Sequence, residues 1–340
     1  MKNESIERVT LAHGGGGKLM RNLIEEIFVS AFSNDILCEL GDSAVIRSGS
    51  AGKLAFTTDS FVVKPLFFRG GDIGRLAVCG TVNDLAVAGA RPRFLSVSMI
   101  IEEGFPISLL KKITRSVTAA AREADVVIAT GDTKVVERGA AEGIFITTAG
   151  VGDIPEHVSV GPERIDVGDA VLVNGFIGDH GVALILGRGE YDFKSDLESD
   201  VAPLAGMIES ILMVCPGLHF MRDLTRGGIA AALNEVASAS GKAIEVDEAA
   251  IPVRHEVSAV CHLLGIDPLN IGNEGKCIII CPARDCDTVL AVMQRHEYGR
   301  TAAVIGRVIE YGKAVVIGRT AIGSKRIIDM PSGRLLPRIC

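Results

Sequence analysis

The chain ends Pro337-Arg338-Ile339-Cys340, so a thiol sits beside the terminal carboxylate. A thiolate is a strong nucleophile, and a group carried on it can be brought to chemistry performed elsewhere in the chain. The run from Pro331 to Arg338 carries two prolines and a glycine without helical or strand periodicity, and it reads as an extended, flexible tail. Ten extended residues reach about 33 Å, enough to enter a cleft or swing to a partner. The alternative is a frayed end whose cysteine is incidental.

The chemistry such a tail would serve is suggested by acidic residues set beside glycines. Asp42 and Asp59 mark two short strands, Gly41–Ile46 and Leu54–Ser60. They are either turn formers or a pair of hard oxygen ligands of the kind magnesium uses while it holds a nucleotide phosphate. Asp84, next to Asn83, lies in an apolar helix, where a carboxylate is costly unless a cation or hydrogen bonds compensate it. It is read as a third magnesium-proximal carboxylate, with a satisfied structural aspartate as the alternative. Asp132 and Lys134 stand in Gly131-Asp132-Thr133-Lys134, read as a turn at a strand end. There the lysine either neutralises phosphate charge or carries a proton, unless the two form a surface pair. Asp223, Thr225, Gly227 and Gly228 open a helix, where free backbone N–H groups and the helix dipole make an anion site. Glu274 lies between Asn273 and Gly275 and is either a general base or a turn former.

Two further histidine-bearing stretches read differently. His13-Gly14-Gly15-Gly16-Gly17-Lys18 lacks the Walker spacing, because Ala12 and Leu19 occupy the required glycine and hydroxyl positions. It is either a lid over a nucleotide or a linker. His180 reads as a helix-start or turn residue rather than a base.

The elements that must position these groups are legible from periodicity. Leu19, Leu23, Ile24, Ile27 and Phe28 share a helical face. Asp72 caps a helix that stops at Gly89, and a second helix is expected from a Ser108 cap, followed by a strand at Val126–Ala129. Strands are expected at 143–150, 169–175, 277–280 and 301–308, with 155–162 joining two halves.

Composition narrows the class. At 340 residues with 48% apolar content, the chain is long enough for two packed domains. A net charge of −7 without a basic block argues against nucleic acid. No apolar run suits a membrane span, and the first residues lack a signal-peptide order, so a cytoplasmic protein is expected. The eight scattered cysteines, mostly in apolar stretches, suit reduced thiols, and the Cys277, Cys281, Cys286 spacing lacks a second ligand pair for zinc.

Together, the glycine loop after His13, Thr57-Thr58-Asp59-Ser60, Pro65-Leu66-Phe67-Phe68, Thr81-Val82-Asn83-Asp84-Leu85, Gly131-Asp132-Thr133-Lys134-Val135-Val136, Asp223-Leu224-Thr225-Arg226-Gly227-Gly228 and Asn273-Glu274-Gly275 resemble the PurM-like ATP-binding superfamily of aminoimidazole ribonucleotide synthetase and its kinase relatives. With Pro337-Arg338-Ile339-Cys340 added, the chain resembles the HypE family of carbamoyl dehydratases, which make cyanide ligands for nickel–iron hydrogenases. Arg69 departs from the proline expected after the paired phenylalanines, away from the proposed chemistry.

The resemblance implies an α/β (α+β) fold in two domains, with the N-terminal one forming a dimer-spanning β-structure. Its boundaries would be a loop and helix over 1–40, an ATP-binding and dimerisation domain over 41–155, a C-terminal α/β domain over 156–330 and a tail over 331–340. It implies ATP and Mg as cofactors, a HypF carbamoyltransferase that loads Cys340, a HypC–HypD complex that receives the cyanide, and a homodimer. It assigns Asp42, Asp59 and Asp84 to magnesium. His13, Asp59, Asn83, Asp84, Asp132, Asp223, Thr225, Gly227 and Gly228 go to ATP, and Cys340, Lys134 and Glu274 to the reaction, with acid and base unassigned between the last two. A kinase or synthetase acting on a diffusible substrate, and a non-catalytic carrier using its thiol as a ligand, are the competing readings.

Overall fold

The structure, a computed structural model, describes residues 17–32, 34–47, 52–189 and 195–331. The amphipathic N-terminal run is helical as its spacing predicts: α1 (Lys18–Leu23) passes through a π-helical turn (Ile24–Val29) into α2 (Ser30–Phe32). Its apolar stripe stays largely exposed, with Phe28 and Phe32 stacked on one another.

The first sheet is assembled from β1 (Ala44–Arg47), β2 (Lys53–Phe61), β5 (Arg91–Glu102), β6 (Val127–Val136) and β7 (Ile144–Ile154), in the order β1-β2-β7-β5-β6. A small hairpin, β3 (Phe67–Phe68) with β4 (Gly71–Asp72), leads into helix α3 (Ile73–Val87). Helix α4 (Ile107–Glu123) links the one parallel pair in that sheet, β5 and β6. The two strands expected near Asp42 and Asp59 are β1 and β2, paired antiparallel. Asp72 caps α3 as expected, its carboxylate accepting from the N–H groups of Gly74 and Arg75. Ser108 does not cap α4. That helix begins two residues earlier, at Ile107 behind Pro106, whose fixed φ starts the turn without a side-chain acceptor.

Helix α3 is buried almost all round, with thirteen of its fifteen residues covered. One side lies on the first sheet so closely that glycine is required at the contacts: a Cβ at Gly150 would sit 2.8 Å from Thr81 and Leu95, and one at Gly80 would sit 2.9 Å from the Phe61 ring. Its other side packs on the second half of the chain.

That half forms a seven-stranded sheet in the order β14-β13-β10-β12-β8-β11-β9. Its strands are β8 (Ala170–Val173), β9 (Phe220–Asp223), β10 (Ala243–Asp247), β11 (Cys277–Cys281), β12 (Ala303–Ile309), β13 (Val316–Arg319) and β14 (Lys325–Ile327). Helices α5 (Asp179–Gly187), α6 (Ala205–Val214), α7 (Gly228–Ser240), α8 (His255–Leu264) and α9 (Cys286–Arg295) surround it. The central strands are apolar on both faces, and alternate residues feed two cores. Leu172, Cys277 and Ile279 join a core that continues through α6 and α3 into the first sheet, whereas Val171, Val173, Ile278 and Ile280 pack in the core beneath α7.

Within that shared core, the Asn83 amide joins the halves. Its nitrogen donates to the carbonyls of Ala202 (3.0 Å) and Glu274 (3.1 Å), and its oxygen accepts from the Leu204 N–H (2.7 Å). All three partners are backbone groups of the second half. Replacing Asn83 with Ala strands them, which should cost about 3 kcal/mol. Denaturant unfolding should show the midpoint falling with one cooperative transition retained. An unchanged midpoint would refute the clamp.

Candidate active site at the domain junction

Five carboxylates converge where α3 meets the second sheet. Asp42 precedes β1, Asp59 lies inside β2 on its helix-covered face, Asp84 lies in the last turn of α3 between the buried Asn83 and Leu85, Asp223 closes β9, and Glu274 precedes β11. The sequence motifs carrying them are far apart in the chain, and only the packing of α3 against both sheets brings them together.

Two of the five have direct polar support. Thr57 Oγ1 donates to Asp84 Oδ2 at 2.8 Å and lies 3.0 Å from the Asp42 carbonyl, and Ser43 Oγ donates to the Asp84 carbonyl at 2.9 Å. The Arg222 guanidinium pairs with Asp42 (3.1 Å) and with Glu235 (2.8 Å). Arg226 is a second cation in the neighbourhood, its charge felt at Asp59, Asp223 and Glu274.

Desolvation dominates the electrostatics. Burial lifts the Asp84 carboxyl well above its ordinary range, and the charges of Asp223, Asp59 and Asp42 raise it further. Asp223 is raised well above its range by burial and then by Asp42, with Arg222 opposing. Glu274 is likewise raised by burial, then by Asp223 and Asp200, and its Oε1 is buried without a hydrogen-bond partner. Burial also raises Asp42 and Asp59, against Arg222 and Arg226 respectively. The site is therefore short of positive charge.

A magnesium ion fits that deficit. Among the described residues, no three His, Cys, Asp or Glu side chains are arranged to hold a metal ion alone. Magnesium completes its shell with water and phosphate oxygens and needs only one or two carboxylates. Asp84 and Asp59 have the charge for this, whereas Asp42 is already committed to Arg222.

Several expectations are corrected by the structure. Asn83 spends both amide hydrogens on the interdomain clamp and has none to offer a phosphate. The Gly228 N–H is also taken, by the Thr225 carbonyl at 3.1 Å. The two glycines have another purpose: both adopt positive φ, and a Cβ on Gly228 would lie 2.5 Å from the Ile271 carbonyl oxygen.

Asp132 and Lys134 do not form a strand-end turn but lie within β6, which continues to Val136 along the sheet edge. They pair with each other at 3.7 Å, both well exposed. Register runs from Ser60 through Thr147 and Ser98 to Asp132, three strand spacings or about 14 Å across the sheet, on the opposite face from Asp59. Within one chain they are thus separated from the carboxylate cluster.

His180 is buried in the first turn of α5, bonded through Nδ1 to Ser199 Oγ at 2.7 Å. His13 and Cys340 lie outside the described residues.

Sequence reading had passed over Arg222, Arg226 and Asp200. Two arginines four positions apart, the first beside a strand-end aspartate, are the available signal for the first two. Asp200 sits in a stretch without periodicity, and its Oδ1 accepts from the Glu274 N–H at 3.0 Å.

Because native Asp84, Asp223 and Glu274 bind protons more tightly than they do in the unfolded chain, they favour the empty fold below their unfolded values near pH 4. That contribution is lost as pH rises through the raised native values. Asp84→Asn should flatten the decline in melting temperature as pH rises above the unfolded value of about 4, without nucleotide. Parallel curves for the two proteins would remove the cluster as its source.

Comparison with known proteins agrees with this architecture. The family model for the N-terminal domain of AIR synthase related proteins matches residues 40–154, and that for the C-terminal domain matches 166–319. A carbamoyl dehydratase HypE of Cupriavidus necator is 48% identical over 98% of this chain and 95% of its own. A crystal structure of a HypE–HypF complex superposes with a TM-score of 0.87 at 45% identity, covering 91% of this chain and 99% of that one. One of HypE in complex with ATP gives 0.82 at 43% identity, covering 98% and 100%. With both domain models matched in order and nearly half of its residues shared end to end with an established member, the chain belongs to the HypE family of carbamoyl dehydratases, within the AIR synthase related proteins.

Proposed function

We propose that this protein removes the elements of water from a carbamoyl group borne on Cys340, using ATP, and leaves a thiocyanate whose cyanide becomes a ligand of hydrogenase iron. The observation that carries the reading is the cation-deficient carboxylate cluster at the domain junction, in a chain that ends in a thiol. The solved HypE with ATP supports the nucleotide, and the HypE–HypF complex supports HypF as carbamoyl donor. A HypC–HypD complex is the proposed acceptor, and the cytoplasm the proposed compartment. No helix among the described residues is long and apolar enough to cross a membrane.

The chemistry follows from the leaving group. The carbamoyl oxygen bonds to the γ-phosphorus as the bond to ADP breaks, and the nitrogen gives up one proton. The second N–H proton then departs as the C–O bond breaks and phosphate leaves, giving S–C≡N. In this scheme Glu274 receives a proton, and Asp59, Asp84 and Asp223 organise the polyphosphate, with Thr225 and Gly227 at its edge. Magnesium, when bound, neutralises the phosphates. The tail raises the effective concentration of the carbamoyl group.

Lys134 belongs in this scheme through a second subunit. One face of the first sheet carries a cross-strand row of Phe56, Val151, Phe94 and Val127, and three of these are 43–57% exposed. Such a row on an open face, beside the exposed edge strand β6, suits pairing with another copy of the chain. That pairing brings Asp132 and Lys134 of one copy toward the cleft of the other.

Intact mass should show a carbamoyl gain at Cys340 that loses one water on adding Mg-ATP. Chelating magnesium should block only the loss, and Cys340→Ala should block both. ATP turnover on a diffusible acceptor by Cys340→Ala would favour the kinase reading instead.

Mixing inactive Lys134→Ala with inactive Glu274→Gln should restore about one quarter of the activity, because half of random dimers are mixed and each has one intact site. No recovery would place Lys134 in its own subunit's site.

A further inference from the structure

Behind the carboxylate cluster lies a second polar cavity of about 630 Å³, for which the scheme above has no use. It opens between Phe176, Asp179, Asp200, Arg254, Lys276 and the segment around Thr301, and six acidic side chains line it against three basic ones. Acidic crowding alone would signify little. Asp179, the first residue of α5, is only 4% exposed, and its Oδ1 is buried without a hydrogen-bond partner. The other oxygen accepts from Arg254 Nε at 2.9 Å, and that guanidinium lies over the Phe176 ring at 4.2 Å. Lys276 Nζ is occupied as well, 3.2 Å from Asp200 Oδ2 and 3.1 Å from the Gly275 carbonyl. A Cβ on Gly175 would lie 2.9 Å from Thr301 Oγ1, so glycine keeps that wall open. The cavity thus holds an unused, desolvated acceptor in an acidic surround, which calls for a cationic donor.

This cavity shares a wall with the cleft. Asp200 lines it, and the Asp200 carboxylate accepts from the Glu274 backbone. The chain itself supplies a suitable cation. Residues 332–340 contain two arginines and no acidic side chain, and Arg338 stands two residues before Cys340, about 7 Å along an extended chain. The tail departs from Pro331, whose carbonyl accepts from the Lys18 N–H and whose ring lies 3.9 Å from where a Gly227 Cβ would be. Gly228 packs on Ile271, and so do Gly178 and Gly181, which flank Asp179, so the tail's origin and the cavity border one short segment. Seven extended residues from Pro331 to Arg338 span about 23 Å.

We propose that this cavity is the seat of the Arg338 guanidinium, which binds Asp179 Oδ1 and holds the tail while Cys340 is presented to the neighbouring cleft. The inference rests on Cys340 carrying the carbamoyl group. Burial, then the charge of Asp200, raise Asp179 to about 6, with Arg254 and Lys276 opposing, so the seat is anionic above that pH and weakens below it.

The test uses the full-length chain carbamoylated at Cys340 and mixed with Mg-ATP for a single turnover followed by intact mass. Arg338→Gln should slow dehydration about 10- to 100-fold with ATP affinity unchanged, and Arg338→Lys should recover part of the loss. Arg334→Gln, the same charge change elsewhere in the tail, should stay within about twofold. Asp179→Asn should match Arg338→Gln, and the double variant should be no slower than the slower single one. The advantage of Arg338 over Gln should shrink below about pH 6. A normal rate in Arg338→Gln, or effects that multiply in the double variant, would overturn the seat. A chain that takes up no carbamoyl at Cys340 would overturn the function and this proposal with it, a result distinct from uptake followed by unimpaired dehydration.

Discussion

Like charges buried together set the terms for this molecule. Asp42, Asp59, Asp84, Asp223 and Glu274 are removed from water at one junction, and each raises the cost of ionising its neighbours. Arg222 and Thr57 offset part of that cost, and Glu274 Oε1 has no hydrogen-bond partner. The fold keeps these groups in place with apolar packing on every side of α3.

That packing explains features with no direct part in the chemistry. Gly80 and Gly150 let α3 approach the first sheet, and Asn83 ties the end of the helix to the backbone before α6 and β11. Asn273 acts similarly within the second domain, accepting from the Gly178 N–H and donating to the Leu224 and Ile271 carbonyls. Two buried amides, each bonded only to backbone, thereby fix the loops that present Asp223 and Glu274. Asn273 lies beside Glu274 in the loop before β11, and Asn83 beside Asp84 within α3.

How much of this was readable in the sequence depended on whether the signal was local. The Asp72 cap, the stop at Gly89, the strands near Asp42 and Asp59, and the helix after Gly228 rest on residues within a turn or two of each other, and the structure has them. The Ser108 cap failed because Pro106 starts the helix just as well. Gly131-Asp132-Thr133-Lys134 has the composition of a turn, yet pairing with β5 holds it extended, and nothing within four residues reveals that pairing. The resemblance gives Asn83 to ATP along with Asp84, although adjacent residues on a helix point about 100° apart.

The sequence alone determined the local periods, the caps and the set of chemically able residues, Cys340 and the clustered aspartates among them. Those depend on side-chain type and short-range sterics, which are the same in any fold. Only the tertiary structure decided that Asp84 and Asp223 share a site, that Lys134 stands apart from it on an exposed edge, and that Asp179 lines a polar cavity. Each of these is set by contacts between residues tens to hundreds of positions apart, through the burial of apolar surface on both sides of α3. No window of sequence contains both partners of such a contact.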